Sequence, residues 1–367
     1  MNKIIVISIL IVLILSLNAK LDLSMLNEIE FSMKSALNWL VMEQEEDGSW
    51  QHYPAITALS VLSILRSNEG LNYNFEPVAE GLQFMSNCVQ LDGSISVGEL
   101  PNYNTAICLV AFKEASDPQY EELIDKGEKY LLNAQLDESD GYSPDSTYYG
   151  GIGYDGSDNR PDLSNLNWVM EALQEQQKQE IEKQSEREIN NREAKTLFYD
   201  KALQFLSRCQ NLEKYNSEGN TGNDGGFIYE VGKSKAGGVK SYGSMTYIGL
   251  KSMLYAKLDR DDERVAAAYN WIKNNYSIET TPLMGDQGLF YYYHTMARSL
   301  NVYGGDILID AEGNEHNWRE ELAGQLIKIQ NQEGWWQNDN GRWRENDKIL
   351  VTTYCILCFE EILQRTR

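Results

Sequence analysis

Histidine is nearly missing from this chain: there are three, His52, His294 and His316, and none has a Cys, Asp or Glu partner at metal-ligand spacing. Cys355 and Cys358 lie one helical turn apart, but two thiols without His partners make only a weak signal for a zinc centre. Basic residues are also short, 32 against 55 acids, for a net charge of -23. Such acidity argues against a nucleic-acid partner and against electrostatic attachment to anionic lipid. Stretches alternating Val, Ile or Thr with polar residues are lacking, so no sheet is expected. The five cysteines make no even framework; Cys88, Cys108, Cys209, Cys355 and Cys358 all fall in apolar helical stretches and read as small buried hydrophobes.

A repeated phrase is what the chain does have: an apolar helical run ending near Gln, a loop of Gly, Asp and an aromatic or small residue, then a second apolar helix. Six copies occur at uneven spacing. The first joins Ala36–Leu40, Gln44, Asp47-Gly-Ser-Trp50 and the run Ala55–Leu65; the second joins Leu82, Gln90, Asp92-Gly-Ser94 and Thr105–Phe112. The third has Gln135, Gly150-Gly-Ile-Gly-Tyr154 and Leu166–Leu173, and the fourth Gln210, Asp224-Gly-Gly-Phe227 and Ser244–Tyr255. The fifth has Trp271, Gly288-Leu-Phe290 and His294–Leu300; the sixth has Gln330, Glu333-Gly-Trp-Trp336 and Thr352–Ile362. One amphipathic hairpin cannot bury its own apolar face, whereas neighbouring hairpins can. The expected fold is therefore all-α, a single (α/α)6 toroid over residues 20–367 with outer helices first and more uniformly apolar inner helices second.

Two segments stand outside the repeat. Residues 1–19 carry one charge, Lys3, and the aliphatic run Ile4–Leu17 is too short for a comfortable membrane span. They read as a secretory signal or, because Leu17 sits poorly before a cut after Ala19, as an uncleaved N-terminal anchor through which the chain would associate with a membrane. Export or a periplasmic location follows. Residues 174–195 are almost wholly polar with strong helix propensity and read as a solvated helical extension.

The Gln-x-x-Asp-Gly-x-Trp phrase, Gln44 to Trp50 with its variant Gln330 to Trp336, resembles the Gln-Trp repeat of squalene-hopene cyclases, which share an α/α toroid with protein prenyltransferase β subunits. The resemblance implies an apolar central cavity and a hydrophobic, isoprenoid-type ligand; the Asp, Cys and His zinc set that the prenyltransferases use has no match among His52, His294 and His316, and no cofactor or metal is expected. That family's proton donor is the middle Asp of an Asp-x-Asp-Asp-Thr-Ala segment. Here the matching stretch is Pro161-Asp-Leu-Ser-Asn-Leu-Asn167. Asp162 keeps the first Asp, but Ser164 and Asn165 replace the next two, and a hydroxyl cannot protonate an alkene. Asp162 is thus the one candidate acid. The literal Asp259-Arg-Asp-Asp262 opens an outer helix and reads as N-cap chemistry.

Tyrosines and amides recur where the inner helices begin: Asn104, Tyr148, Tyr149, Tyr154, Arg160, Asn165, Tyr242, Tyr247, Tyr291, Tyr292, His294 and Tyr354. In a closed toroid these converge on one mouth and are the candidate ligand-binding set. Two functional classes remain open at this point. One is an enzyme, either a terpenoid cyclase with a deep dry cavity or a carbohydrate-active toroid with a polar wet cleft. The other is a non-catalytic binding module. The oligomeric state is undetermined.

Overall fold

The computed structural model describes residues 21–67, 70–155, 160–174, 186–216, 218 and 221–364. The N-terminal segment 1–19 and residues 175–185 of the polar stretch lie outside these. Twelve α-helices are described: α1 (Leu23–Met42), α2 (Pro54–Arg66), α3 (Glu76–Asn87), α4 (Pro101–Ala115), α5 (Glu121–Asn133), α6 (Leu163–Ala172), α7 (Glu186–Cys209), α8 (Gly243–Tyr255), α9 (Glu263–Asn274), α10 (Leu289–Tyr303), α11 (Trp318–Ile329) and α12 (Lys348–Leu363). The even-numbered helices pack each on the next, and α12 packs back on α2, closing an inner ring. The odd-numbered helices lie outside them. Burial separates the two layers: every residue of α12 from Ile349 to Leu363 is buried, whereas α5 buries Gly127, Glu128 and Leu131. The chain is an (α/α)6 toroid with its core between the two rings.

The repeated residues hold neighbouring repeats together. Gln44 Nε2 donates to its own loop at Gly48 O and to Pro77 O in α3, both at 2.9 Å. Gln135 does the same to Gly150 and Phe198, and Gln210 to Gly225 and Arg264. Gln330 closes the circle, donating to Gly334 O at 2.8 Å and to Ser32 O in α1 at 3.0 Å. The loop glycine is required because its backbone touches the next outer helix: a Cβ on Gly334, at φ +102°, would meet Ser35 O at 2.6 Å. The following residue docks inward. The backbone N–H groups of Trp50, Ile95, Phe227 and Trp336 donate to Thr57, Thr105, Thr246 and Thr352, one turn into the inner helix.

Two features depart from the sequence reading, and a third agrees with it. A two-stranded ribbon, β1 (Ile307–Ile309) with β2 (Glu315–Asn317), precedes α11; three-residue strands are too short to show alternation. Residues 186–195 form the first turns of α7 rather than a separate extension, and Lys195 among them is buried against Glu128 at 2.7 Å. Lys113 from α4 reaches the same carboxylate at 2.6 Å. Asp262 caps the outer helix α9 by accepting from Arg264 N, as its position implied.

Candidate functional site

Asp162 is set by the segment that leads to it. Gly150, at φ +81°, leaves room for nothing larger, since a Cβ there would lie 2.0 Å from Lys201 O in α7; at Gly151 a Cβ would strike Pro161. The loop threads this gap and Asp162 N then donates to Ile152 O at 3.2 Å. Asp162 becomes the N-cap of α6, accepting from Asn165 N at 3.0 Å and from Asn165 Nδ2 at 2.7 Å. Capping by Asn165 favours the carboxylate, and so does the nearby Tyr229 hydroxyl. Burial opposes both and wins: with the residue 2% exposed, desolvation pushes the carboxyl up to about 6.

Phenols surround this acid. Tyr154 and Tyr229 bond through their hydroxyls at 3.0 Å, Tyr154 and Tyr103 rings lie 6.1 Å apart, and Tyr103 joins Tyr354 by a hydroxyl hydrogen bond. Ser164 Oγ and Tyr291 OH are 2.9 Å apart, and the Tyr291 and Tyr354 rings 5.8 Å. Tyr242, N-cap of α8, is close enough for the charge of Asp162 to raise its phenol. Tyr103, Tyr154, Tyr229 and Tyr291 keep part of their surface accessible, yet desolvation raises every one of these phenols, Tyr154 to about 12. Groups that are both accessible and desolvated line a recess. Its hydrogen-bonded walls end in hydroxyls, amides and one carboxyl.

Below the recess the lumen is filled. His294 stacks on Tyr354 at 5.4 Å and on Trp168 at 5.9 Å, joining α6, α10 and α12 through the centre. Burial, with Lys251, Arg298 and Arg66 nearby, holds His294 down at about 3, so the imidazole is neutral. At the opposite mouth the inner helices end in charge, buried at Glu171, Lys251 and Glu361 and open to solvent at Glu114. Glu171 pairs with Lys251 at 2.5 Å and Arg298 at 3.2 Å, Arg298 with Glu361 at 2.6 Å, and Arg66 with Glu114 at 2.8 Å. No sequence pattern announced that layer, because the charges are scattered over six otherwise apolar helices.

The predicted set divides accordingly. Tyr154, Asp162, Asn165, Tyr242, Tyr291 and Tyr354 meet at the recess, with His294 beneath it. Asn104 stands at its edge, donating to Glu99 O at 2.8 Å and reaching Tyr53 OH at 3.5 Å. Tyr149 turns outward to Glu138 at 2.8 Å, under Lys201 of α7. Tyr247 and Tyr292 pair with each other in the wall, rings 5.7 Å apart, and Tyr292 donates to Ser277 O. The adjacent Tyr148 is half-buried at its turn, and Arg160 is exposed on the approach to Asp162.

Sequence reasoning missed Trp168, Tyr229 and the buried Glu345. Glu345 accepts from Tyr291 N at 2.7 Å and Asn338 Nδ2 at 2.6 Å, and burial lifts its carboxyl to about 7. A structural signal marks this mouth: Gln51, His52, Leu100, Leu283, Trp343 and Arg344, all in left-handed backbone, precede inner helices. Strain of that kind gathers at functional sites. Among the described residues no group of three His, Cys, Asp or Glu could hold a metal ion.

No family profile and no curated protein matches this chain. Solved structures do. A type II terpene cyclase, MstE from Scytonema, in a single-residue variant without ligand, is 11% identical, covers 95% of this chain and 100% of its own, and has a TM-score of 0.60. Another MstE variant, in complex with geranylgeranyl dihydroxybenzoate as substrate, gives 11%, 93%, 99% and 0.59. An unsaturated glucuronyl hydrolase specific for heparin gives 11%, 92%, 97% and 0.56. Identities this low speak for architecture, and the chain shares the α/α toroid fold of terpene cyclases and glycoside-cleaving enzymes alike.

Proposed function

We propose that this protein is a carbohydrate-active toroid in which Asp162 is the general acid. The observation that carries the reading is a buried carboxyl with a pKa of about 6 beside the hydrogen-bonded hydroxyls of Tyr229 and Tyr154, in a recess with polar walls. An acid of that strength is matched to protonating the leaving oxygen of a glycosidic bond near neutral pH. It is too weak for an isolated alkene. The stack of Trp168, His294 and Tyr354, which joins three inner helices across the lumen, also weighs against a deep cavity for a long polyene. The heparin-specific hydrolase supports the reading as a toroid of similar size acting on a saccharide. Tyr103, Tyr154 and Tyr291 would serve as ring platforms, and Asn165 and Tyr229 would position the acid. The aliphatic run Ile4–Leu17 puts the substrate outside the cytoplasm in this reading.

The test is hydrolysis of an oligosaccharide panel by the full chain and by Asp162→Asn. The expected result is turnover by the wild type, falling as pH rises through about 6, and none by the variant. Retained turnover in the variant would overturn the assignment. A second reading, a hydrophobic isoprenoid-type ligand, is favoured by the tyrosine faces at the mouth and by the MstE complex. Native mass spectrometry with lipid extraction of the protein from its own host decides it: a co-purified isoprenoid replaces the saccharide reading.

A further inference from the structure

The tyrosine cluster leaves two cations at its rim unexplained. Lys235 lies in the loop between α7 and α8, and Arg342 in the loop between α11 and α12. Lys235 Nζ stands 4.1 Å from the ring centroid of Tyr229, whose hydroxyl bonds to Tyr154 and whose backbone carbonyl accepts from Leu163 N, next to Asp162, at 2.9 Å. The Arg342 guanidinium stands 4.2 Å from the ring of Trp343. Neither forms an ion pair with a described carboxylate. Glu230, the acid nearest Lys235 on its own loop, is held by Lys233 at 2.6 Å, and Arg342 bonds the neutral amide of Gln287. Other cations among the described residues, Lys348 on Trp335 and Arg260 on Tyr303, also rest on a ring without an ion pair; Lys235 and Arg342 differ from these in standing at the tyrosine-lined mouth.

The two belong to one place. Lys235 feels the charges of Arg342 and Asp162, and Arg342 and Asp162 both act on Tyr242. Each cation rests on an aromatic face, which steadies it and leaves its N–H groups available. The position of Arg342 is built at a cost in backbone strain. Trp343 and Arg344 are left-handed at φ +57° and +63°, and the Trp343 ring covers Gly288, where a Cβ would approach it to 2.9 Å. The N-terminal ends of the inner helices converge on the same mouth and add positive partial charge.

Resting on the saccharide reading above, we propose that Lys235 and Arg342 form an anion subsite beside Asp162, so that the substrate is an acidic saccharide carrying a ring carboxylate or sulfate. The chemistry is coherent. An unbalanced substrate anion beside Asp162 would hold the acid protonated but repel the carboxylate left after proton transfer; the two cations offset that charge.

The experiment measures binding to the full chain at low salt, using a glucuronate-containing oligosaccharide and its neutral glucose counterpart, for wild type, Lys235→Met and Arg342→Gln. Both residues are at least partly exposed, and circular dichroism checks that the variants fold. The proposal expects the wild type to prefer the acidic ligand at least tenfold, each variant to lose about tenfold for it, and neutral-ligand affinity to stay put. Equal wild-type affinity for both ligands, or unchanged acidic-ligand affinity in both variants, overturns the subsite. Tighter binding of an isoprenoid diphosphate than of the glucuronate oligosaccharide overturns the substrate class. The two readings fail separately: loss of turnover in Asp162→Asn with unaltered Lys235→Met and Arg342→Gln leaves the acid and removes the subsite, whereas acidic-ligand binding lost in those variants without any turnover in wild type leaves the subsite and removes the acid.

Discussion

The indole of Trp168 and the imidazole of His294 stack 5.9 Å apart across the lumen, from α6 and α10, which are separated in the inner ring by α8. This contact converts a ring of helices into a filled barrel with a recess at one end. Truncation should therefore be felt throughout the molecule. Trp168→Ala is expected to destabilise by about 3–5 kcal/mol, as for other large buried aromatics. Because the His294 imidazole is neutral and its Nδ1 has no hydrogen-bond partner, His294→Phe should keep the stack and change stability by less than about 1 kcal/mol. Urea midpoints of the two variants check the pair; a large loss in His294→Phe would show that the nitrogen matters.

Asp162 should cost the fold stability at neutral pH. Its carboxyl titrates near 6 when folded and near 3.8 when unfolded, so between these values the folded chain holds the proton more tightly and stability falls as pH rises. Above about pH 6 that cost is complete. Asn caps a helix as well as Asp does, so Asp162→Asn should be more stable than wild type at pH 8 by on the order of 2 kcal/mol. The gain should vanish near pH 4. A Tm difference independent of pH would contradict the desolvated carboxyl.

Two glycines with similar backbone signs should respond very differently. Gly334 touches α1, and a Cβ there would meet Ser35 O at 2.6 Å, whereas nothing lies within 4 Å of a Cβ on Gly70. Gly70→Ala is expected to cost about 1 kcal/mol for its positive φ alone. Gly334→Ala should cost several times that, because the closing seam between the sixth and first repeats must open. Thermal unfolding of both variants reads the contrast, and equal losses would mean that the seam is not tight.

Glu171 is the hinge of the charged end. It is the shared partner of Lys251 and Arg298, and their charges hold its carboxyl well below the usual range despite full burial. Glu171→Gln should destabilise by about 3–5 kcal/mol at pH 7, since it leaves two buried cations short of a counter-charge. Adding Lys251→Met should recover part of that loss. A double-mutant cycle with no coupling would refute the pairing.

The repeat was legible because every copy solves the same packing problem locally. The Gln, the positive-φ Gly, the docking Trp50 or Trp336 and the inner-helix Thr each recur at a spacing that one helical hairpin imposes. The inner helices betray themselves by being apolar all round, so Ala55–Leu65 and Thr352–Ile362 could be placed without coordinates. Asp162 was legible for the same reason, as a carboxyl at the head of one such helix. The direction of each tyrosine was not. Tyr291 enters the lumen and its neighbour Tyr292 enters the wall, a difference of one residue on a helix whose rotation is set by the packing of α8 and α12.

Local chemistry in the chain was enough for the six hairpins, their turn geometry and the acidic, cysteine-inert character of the protein. Tertiary structure alone decided that Trp168, His294 and Tyr354 would stack across the lumen, that six scattered charged helix ends would become one ionic layer, and that Lys235 and Arg342 would reach the tyrosine-lined mouth from loops more than a hundred residues apart. Closing a ring fixes the rotation of every helix at once, and that constraint belongs to the whole assembly and to no segment of it.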